Sequence, residues 1–108
     1  MPNIPIIKFS HGWSKLDCAE GSLFTTIRSF DSSGNKAAYY ENLEGETFMV
    51  KVNGKYRFMA VLLQVFRGTG KDLSGPLLKY DTDGNAGWID RITGYPNVLV
   101  LVFRKVKQ

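Results

Sequence analysis

The sequence contains little cysteine or histidine and no long hydrophobic run. Its 108 residues include one cysteine, Cys18, and one histidine, His11. One cysteine cannot form an internal disulfide, and these two side chains are too few for a four-ligand zinc site. The longest apolar run, residues 98–103, has the length of a strand and falls well short of the ~18–20 residues of a membrane helix. We therefore expect no membrane partner, no metal and no cofactor.

The first residues also lack the features of a secretory signal. They read MPNIPIIKFSHGW, with no basic start, no long apolar stretch and no small-residue cleavage site. Together with the single thiol, this favours a cytoplasmic protein. The length fits one domain, residues 1–108.

Positive charge is concentrated in the second half of the chain. The net charge is +4, but residues 1–54 sum to −1 and residues 55–108 sum to +5. A basic half is typical of proteins with an anionic partner, although many small basic proteins bind nothing anionic.

Strand patterns dominate the secondary structure that the sequence predicts. Asn53-Gly54 lies between two apolar-rich runs and is the typical pair of a type I′ hairpin turn. The remaining elements are short. The predicted strands are 4–9 at a sheet edge, 23–30, 46–52, 55–66 and a central strand at 97–106; the predicted helices are 14–20, a turn at 37–42 and 73–81, with 81–97 mostly loop. We therefore predict an α+β fold, mainly β, with a small antiparallel barrel covered by one or two short helices.

Three segments resemble known sites only in part. Asp81, Asp83 and Asn85 have the spacing of the first calcium ligands, but the glycine and the bidentate glutamate of such a loop are missing. Residues 67–72 have the glycines of a phosphate loop without its complete pattern. His11 and Cys18 have no third residue that would complete a catalytic triad.

The most informative segment is the strand at 23–30. Its alternation directs Phe24, Thr26, Arg28 and Phe30 to one face. An arginine among aromatic rings can stack on a base or bind a phosphate, or it can pair with a carboxylate at the barrel rim.

This segment, Gly21 followed by Thr25-Thr26-Ile27-Arg28, resembles the signature of the ASCH domains, relatives of the PUA RNA-binding fold. The resemblance extends from about residue 9 to 106 and includes Gly45-Glu46 before a strand and a closing strand that ends in charges. It implies a PUA-like barrel with an RNA-related role and a cleft between helix and barrel. Some members resemble amidohydrolases of acetylated cytidine that use a lysine, a threonine and a glutamate. On this alignment Thr26 matches the threonine, but the lysine position holds Leu23.

The acid of such an enzyme would have to be Asp72, Asp81 or Asp83, because no glutamate follows Glu46. Lys15, on the preceding helix, is the lysine that would have to substitute for the missing one, and nothing in the sequence shows that it does. This departure weakens the hydrolase hypothesis and favours the binding one. Three hypotheses follow: an RNA- or nucleotide-binding module, a small amidohydrolase with Thr26 as nucleophile or orienting residue, and a protein-interaction domain without nucleic acid. The predicted nucleic-acid contacts are Arg28 and Thr26 in the cleft and, as phosphate contacts, Lys15, Lys55, Arg57, Arg67 and Lys71.

Overall fold

A single curled sheet forms the framework of the computed structural model, which describes residues 3–106. The fold is α+β, with more strand than helix, and the sheet has the shape of a half-barrel. The strands are β1 (Ile6–Phe9), β2 (Leu23–Ser29), β3 (Thr47–Val52), β4 (Lys55–Gly68) and β5 (Val98–Lys105). The helices are α1 (Asn35–Glu41), α2 (Gly75–Thr82) and α3 (Ala86–Thr93), with short 3-10 helices at Ser14–Asp17 and Gly70–Asp72.

The strand order explains which strands are buried. The order is β1-β3-β4-β5-β2, with β1 parallel to β3 and the other neighbours antiparallel. The predicted hairpin is confirmed: Asn53 and Gly54 join β3 to β4 with φ values of 52° and 78°. The central position of β5 is also confirmed, since it lies between β4 and β2 and its Leu99, Leu101 and Phe103 are fully buried.

The two edge strands leave the sheet open on one side. β1 is an edge strand as predicted, and β2 forms the opposite edge. Within residues 3–106 no strand pairing joins β1 to β2, so the sheet is a half-barrel and not a closed barrel. The predicted alternation of β2 is confirmed for its buried face, where Phe24 and Thr26 are inside while Leu23 is exposed.

Segment 81–97 differs from the prediction, because it contains the helix α3. The glycines and aspartates of this segment indicated a loop. Asn85 nevertheless caps the helix by accepting a hydrogen bond from the Trp88 backbone N–H at 3.0 Å, and Ile92 is buried. Gly70 allows this packing: a Cβ at that position would lie 1.8 Å from the Ile92 carbonyl oxygen.

Helix α2 and the 3-10 helix at Ser14–Asp17 both lie where the sequence predicts a helix, but the second is shorter than predicted. α2 begins after the Ser74 cap and has Pro76 in its first turn, as predicted. The predicted helix at 14–20 is only the 3-10 helix Ser14–Asp17. None of the helices in the described residues has the length and apolar character needed to cross a membrane.

Candidate functional site

A cleft of about 530 Å³ lies where the two edge strands come together with the helices. β1 and β2 both contribute to its walls, together with the loop after β1, the hairpin turn and the end of α2. α1 and α3 also contribute lining residues. The cleft therefore lies between the two edge strands on the open side of the half-barrel.

A buried ion pair lies at the bottom of this cleft. Lys15 Nζ is 2.7 Å from Asp81 Oδ1, and the two residues are only 4% and 5% exposed. The other carboxylate oxygen, Asp81 Oδ2, accepts a hydrogen bond from the Ile27 backbone N–H at 3.3 Å. Burial lowers the pKa of Lys15 even though Asp81 opposes that shift, and nearby Arg28 lowers it further. The pair therefore places two groups capable of proton transfer in a site shielded from water.

Arg28 connects the two edge strands above this pair. Its Nε donates to Thr26 Oγ1 at 3.2 Å, and its terminal nitrogen donates to the Lys8 carbonyl oxygen at 2.8 Å. The guanidinium carbon is 4.7 Å from the centre of the Phe9 ring. The sequence predicted aromatic neighbours for Arg28 on its own strand, at Phe24 and Phe30. The neighbouring ring comes instead from β1, because the curl of the sheet brings the two edges together.

Cations outnumber carboxylates around the cleft. Among its described lining residues, the cationic ones are Lys8, Lys15, Arg28 and Lys36, and the acidic one is Asp81. Lys36 Nζ donates to the Ser29 carbonyl oxygen at 2.9 Å. Burial lowers the pKa of Lys36, and Arg28 lowers it further because like charges oppose each other. A bound anion would relieve this repulsion.

Three aromatic rings form a cluster on the other side of the cleft. His11, Trp13 and Trp88 have ring centres 5.0, 5.6 and 6.0 Å apart in tilted or edge-to-face arrangements. All three line the cleft. The guanidinium of Arg91 lies 4.6 Å from the Trp88 ring centre. This aromatic cluster adds apolar ring surface to the cleft that the cations also line.

The structure brings three of the seven predicted contact residues into the cleft. These are Lys15, Thr26 and Arg28. The remaining four are exposed and are not among its lining residues: Lys55, Arg57, Arg67 and Lys71.

Two of the outer cations are engaged with carboxylates. Arg57 forms an exposed ion pair with Asp17 at 3.0 Å. Arg67 binds both oxygens of Glu41, at 2.9 and 2.6 Å, and these hydrogen bonds lower the pKa of that carboxyl group. Both pairs lie at the surface, where such pairs contribute little to stability.

The calcium-like residues each have other partners. Asp81 binds Lys15, Asp83 accepts hydrogen bonds from the Ser14 hydroxyl and backbone N–H, and Asn85 caps α3. In the part of the chain that the structure describes, no group of three or more histidine, cysteine, aspartate and glutamate side chains is placed to hold a metal ion.

The sequence did not predict that the aromatic cluster, Lys8 and Lys36 line the cleft. Trp13 and Trp88 are distant in sequence, and neither is part of a periodic pattern that would indicate a shared site. The alternation of β2 did identify Thr26 and Arg28, because a strand's own period decides which face a side chain takes.

Comparisons of the chain with protein-family models, curated proteins and solved structures gave no match.

Proposed function

We propose that the protein binds RNA or a nucleotide in this cleft, as a module of the ASCH or PUA-like type. One observation carries the proposal: four cationic residues and a cluster of three aromatic rings line a single cleft whose described lining contains one carboxylate. Cations bind phosphates, and aromatic rings stack on bases, so the pairing of the two is typical of sites for single-stranded nucleic acid.

The one carboxylate among the described lining residues does not cancel the positive charge of the cleft. Asp81 is buried and bonded to Lys15, so it neutralises the deepest cation. None of the ion pairs of the described residues includes Lys8, Arg28 or Lys36, although Asp81 acts on Arg28 and Asp31 acts on Lys36 from a longer distance. We expect these three cations to attract an incoming phosphate.

A salt series with a short single-stranded RNA tests the proposal. Each phosphate contact releases counterions, so the logarithm of the affinity should fall with the logarithm of salt concentration by about 0.7 per contact. Lys36→Gln should lower that slope by about one contact. Lys79→Gln is the matched control, since Lys79 is an exposed lysine that does not line the cleft. Absence of retention at low salt, or equal effects of the two variants, would contradict the proposal.

The outer basic residues extend the proposed interface along a longer strand. Lys55 and Lys71 are exposed. Lys55→Ala or Lys71→Ala should weaken all RNA sequences alike, because a phosphate contact carries no sequence information. Arg57 and Arg67 would first have to leave their carboxylate partners.

A second candidate, hydrolysis of an acetylated nucleoside, is favoured by the Lys15–Asp81 pair, which lines the same cleft as Thr26. The lysine position of the ASCH hydrolases holds Leu23 in this chain, and Leu23 is 52% exposed. Lys15 reaches the cleft from the 3-10 helix instead. In the reaction, the oxygen of a water attacks the acetyl carbon, or the Thr26 hydroxyl attacks it and a water then hydrolyses the resulting acetyl ester. The carbon–nitrogen bond breaks, and the proton lost by the attacking O–H passes to the leaving nitrogen. In this proposal the Lys15–Asp81 pair transfers that proton.

Acetate release from an acetylated nucleoside distinguishes the two candidates. Thr26→Ala should abolish release and leave RNA retention nearly unchanged, while Thr47→Ala, an exposed threonine on β3, should change neither. A wild-type protein that releases no acetate eliminates the hydrolase. A protein that also fails to retain RNA leaves the interaction-domain alternative.

A further inference from the structure

We infer that the cleft holds a single nucleotide in two parts. The base lies on the aromatic cluster of His11, Trp13 and Trp88, and the phosphate lies among Lys8, Arg28 and Lys36. This inference rests on the proposed function and specifies the ligand of the same site. It predicts that neither a base nor a phosphate alone occupies the cleft as well as the two together.

The aromatic side of the cleft suits a planar base. The rings of the cluster pack with tilted or edge-to-face geometry, at interplanar angles of 57°, 76° and 85°. In an edge-to-face pair the edge of one ring meets one face of the other, and the Arg91 guanidinium lies 4.6 Å from the Trp88 ring centre, so a base would use a ring face that neither contact covers. Trp13 and Trp88 are only partly buried, and His11 is exposed. A base can therefore stack on a face of the cluster without first displacing a ring.

The cationic side of the cleft suits a phosphate. A guanidinium has five N–H donors, and Arg28 uses one on Thr26 and one on the Lys8 carbonyl. Lys36 has three donors and uses one on the Ser29 carbonyl. The contacts that hold these side chains in place leave further donors for phosphate oxygens. Burial lowers the pKa of Lys36 and Arg28 lowers it further, so the two cations lie close enough to repel each other, and an anion between them would oppose that repulsion.

The size of the cleft suits one nucleotide unit. A volume of about 530 Å³ is within the usual range of about 300–1,000 Å³ for small-molecule sites. The occupant is either a free mononucleotide or one nucleotide splayed out of a single-stranded RNA, and both have the same chemistry.

Tryptophan fluorescence tests the inference directly, because the two tryptophans of the chain, Trp13 and Trp88, both line the cleft. The probes are adenosine 5′-monophosphate, adenosine, inorganic phosphate and a short single-stranded RNA, each measured against free tryptophan as an absorption control. We expect quenching by the monophosphate or the RNA, with adenosine needing at least ~10-fold higher concentration and inorganic phosphate giving none. Tighter quenching by the monophosphate indicates a free nucleotide as the occupant, and tighter quenching by the RNA indicates a splayed-out one.

Variants separate the two parts of the site. Trp88→Leu should weaken monophosphate binding, followed through Trp13, by about 10-fold or more. Trp88→Phe, which keeps a ring, should stay within ~3-fold and guards against loss of folding. Phe66→Leu is the control, because Phe66 is an aromatic residue on β4, 51% exposed and outside the cleft. Lys36→Gln should reduce the preference for the monophosphate over adenosine.

The outcomes also distinguish this inference from the proposed function. RNA retention that depends on salt, with no change in tryptophan fluorescence for any probe, would refute the two-part site and leave RNA binding intact. Equal effects of Trp88→Leu and Phe66→Leu would refute it as well. Loss of both retention and quenching in the wild-type protein would refute both proposals together.

Discussion

Replacing Asp81 with asparagine removes one charge from the bottom of the cleft and keeps the shape of the side chain. The variant can still accept the hydrogen bond from the Ile27 backbone N–H. Lys15, only 4% exposed, loses its ionic partner. The change therefore isolates the cost of a buried and unpaired ammonium group.

Two estimates set the expected loss in the free energy of unfolding: the cost of an unpaired buried charge and the cost of neutralising it. Breaking a buried ion pair by removing one partner costs about 3–5 kcal/mol. Lys15 can avoid part of this by losing its proton, and neutralising a lysine with a pKa of about 10.4 at pH 7 costs ~4.6 kcal/mol, at about 1.36 kcal/mol for each pKa unit. We expect Asp81→Asn to lower the free energy of unfolding at pH 7 by about 3–5 kcal/mol.

The loss of stability caused by Asp81→Asn should become smaller as the pH rises. Burial holds the pKa of Lys15 in the folded protein below its ordinary value of 10.5, and loss of Asp81 removes an opposing influence. Between the lowered pKa and 10.5 the unfolded chain binds more protons than the folded one, so stability rises with pH. In the variant the pKa of Lys15 is lower still, so this pH window is wider. The difference in the free energy of unfolding between the wild type and Asp81→Asn should therefore decrease by up to about 1.4 kcal/mol per pH unit.

Urea unfolding at pH 7 and pH 9 measures these differences. The double variant Lys15→Met with Asp81→Asn should recover more than half of the loss, because it buries no unpaired charge. It also provides a folded reference if the single variant does not fold. A cost below ~1 kcal/mol at pH 7, a deficit that grows with pH, or no recovery in the double variant would refute the reasoning.

Three further substitutions test the fold by urea unfolding. Gly70→Ala should destabilise strongly, since its Cβ would meet the Ile92 carbonyl oxygen at 1.8 Å; a neutral effect would contradict the close contact with α3. Gly54→Val should cost on the order of 1 kcal/mol or more because a β-branched residue resists the φ of 78°, whereas equal stability would argue against the type I′ turn. Leu101→Ala, at a fully buried position on the central strand, should cost about 2–5 kcal/mol, and a loss under 1 kcal/mol would contradict its place in the core.

Local chemistry made part of the fold predictable. Asn53-Gly54 determines a turn by itself, and the apolar run 98–103 can be satisfied only in a strand covered on both faces. The helix α3 was not predictable in the same way. Its glycines and the following proline disfavour a helix locally, and the packing of Ile92 against Gly70, 22 positions away, outweighs them.

The candidate site was less predictable than the fold, because its contacts are distant in sequence. Lys15 and Asp81 are 66 positions apart, and no spacing rule links a lysine in a short 3-10 helix to an aspartate near the end of α2. Arg28 was identified from the period of its strand, but its ring partner, Phe9, depends on the curl of the sheet.

Chemical-shift mapping by NMR with a short single-stranded RNA tests the central claim most directly, because it locates the bound ligand on the fold. We predict that both indole N–H signals, of Trp13 and Trp88, shift in proportion to occupancy, together with the backbone amides of Thr26 and Arg28. The β5 amide of Arg104, an exposed residue outside the cleft, should not shift. Shifts spread evenly over the basic surface, or none at the two indoles, would contradict the account.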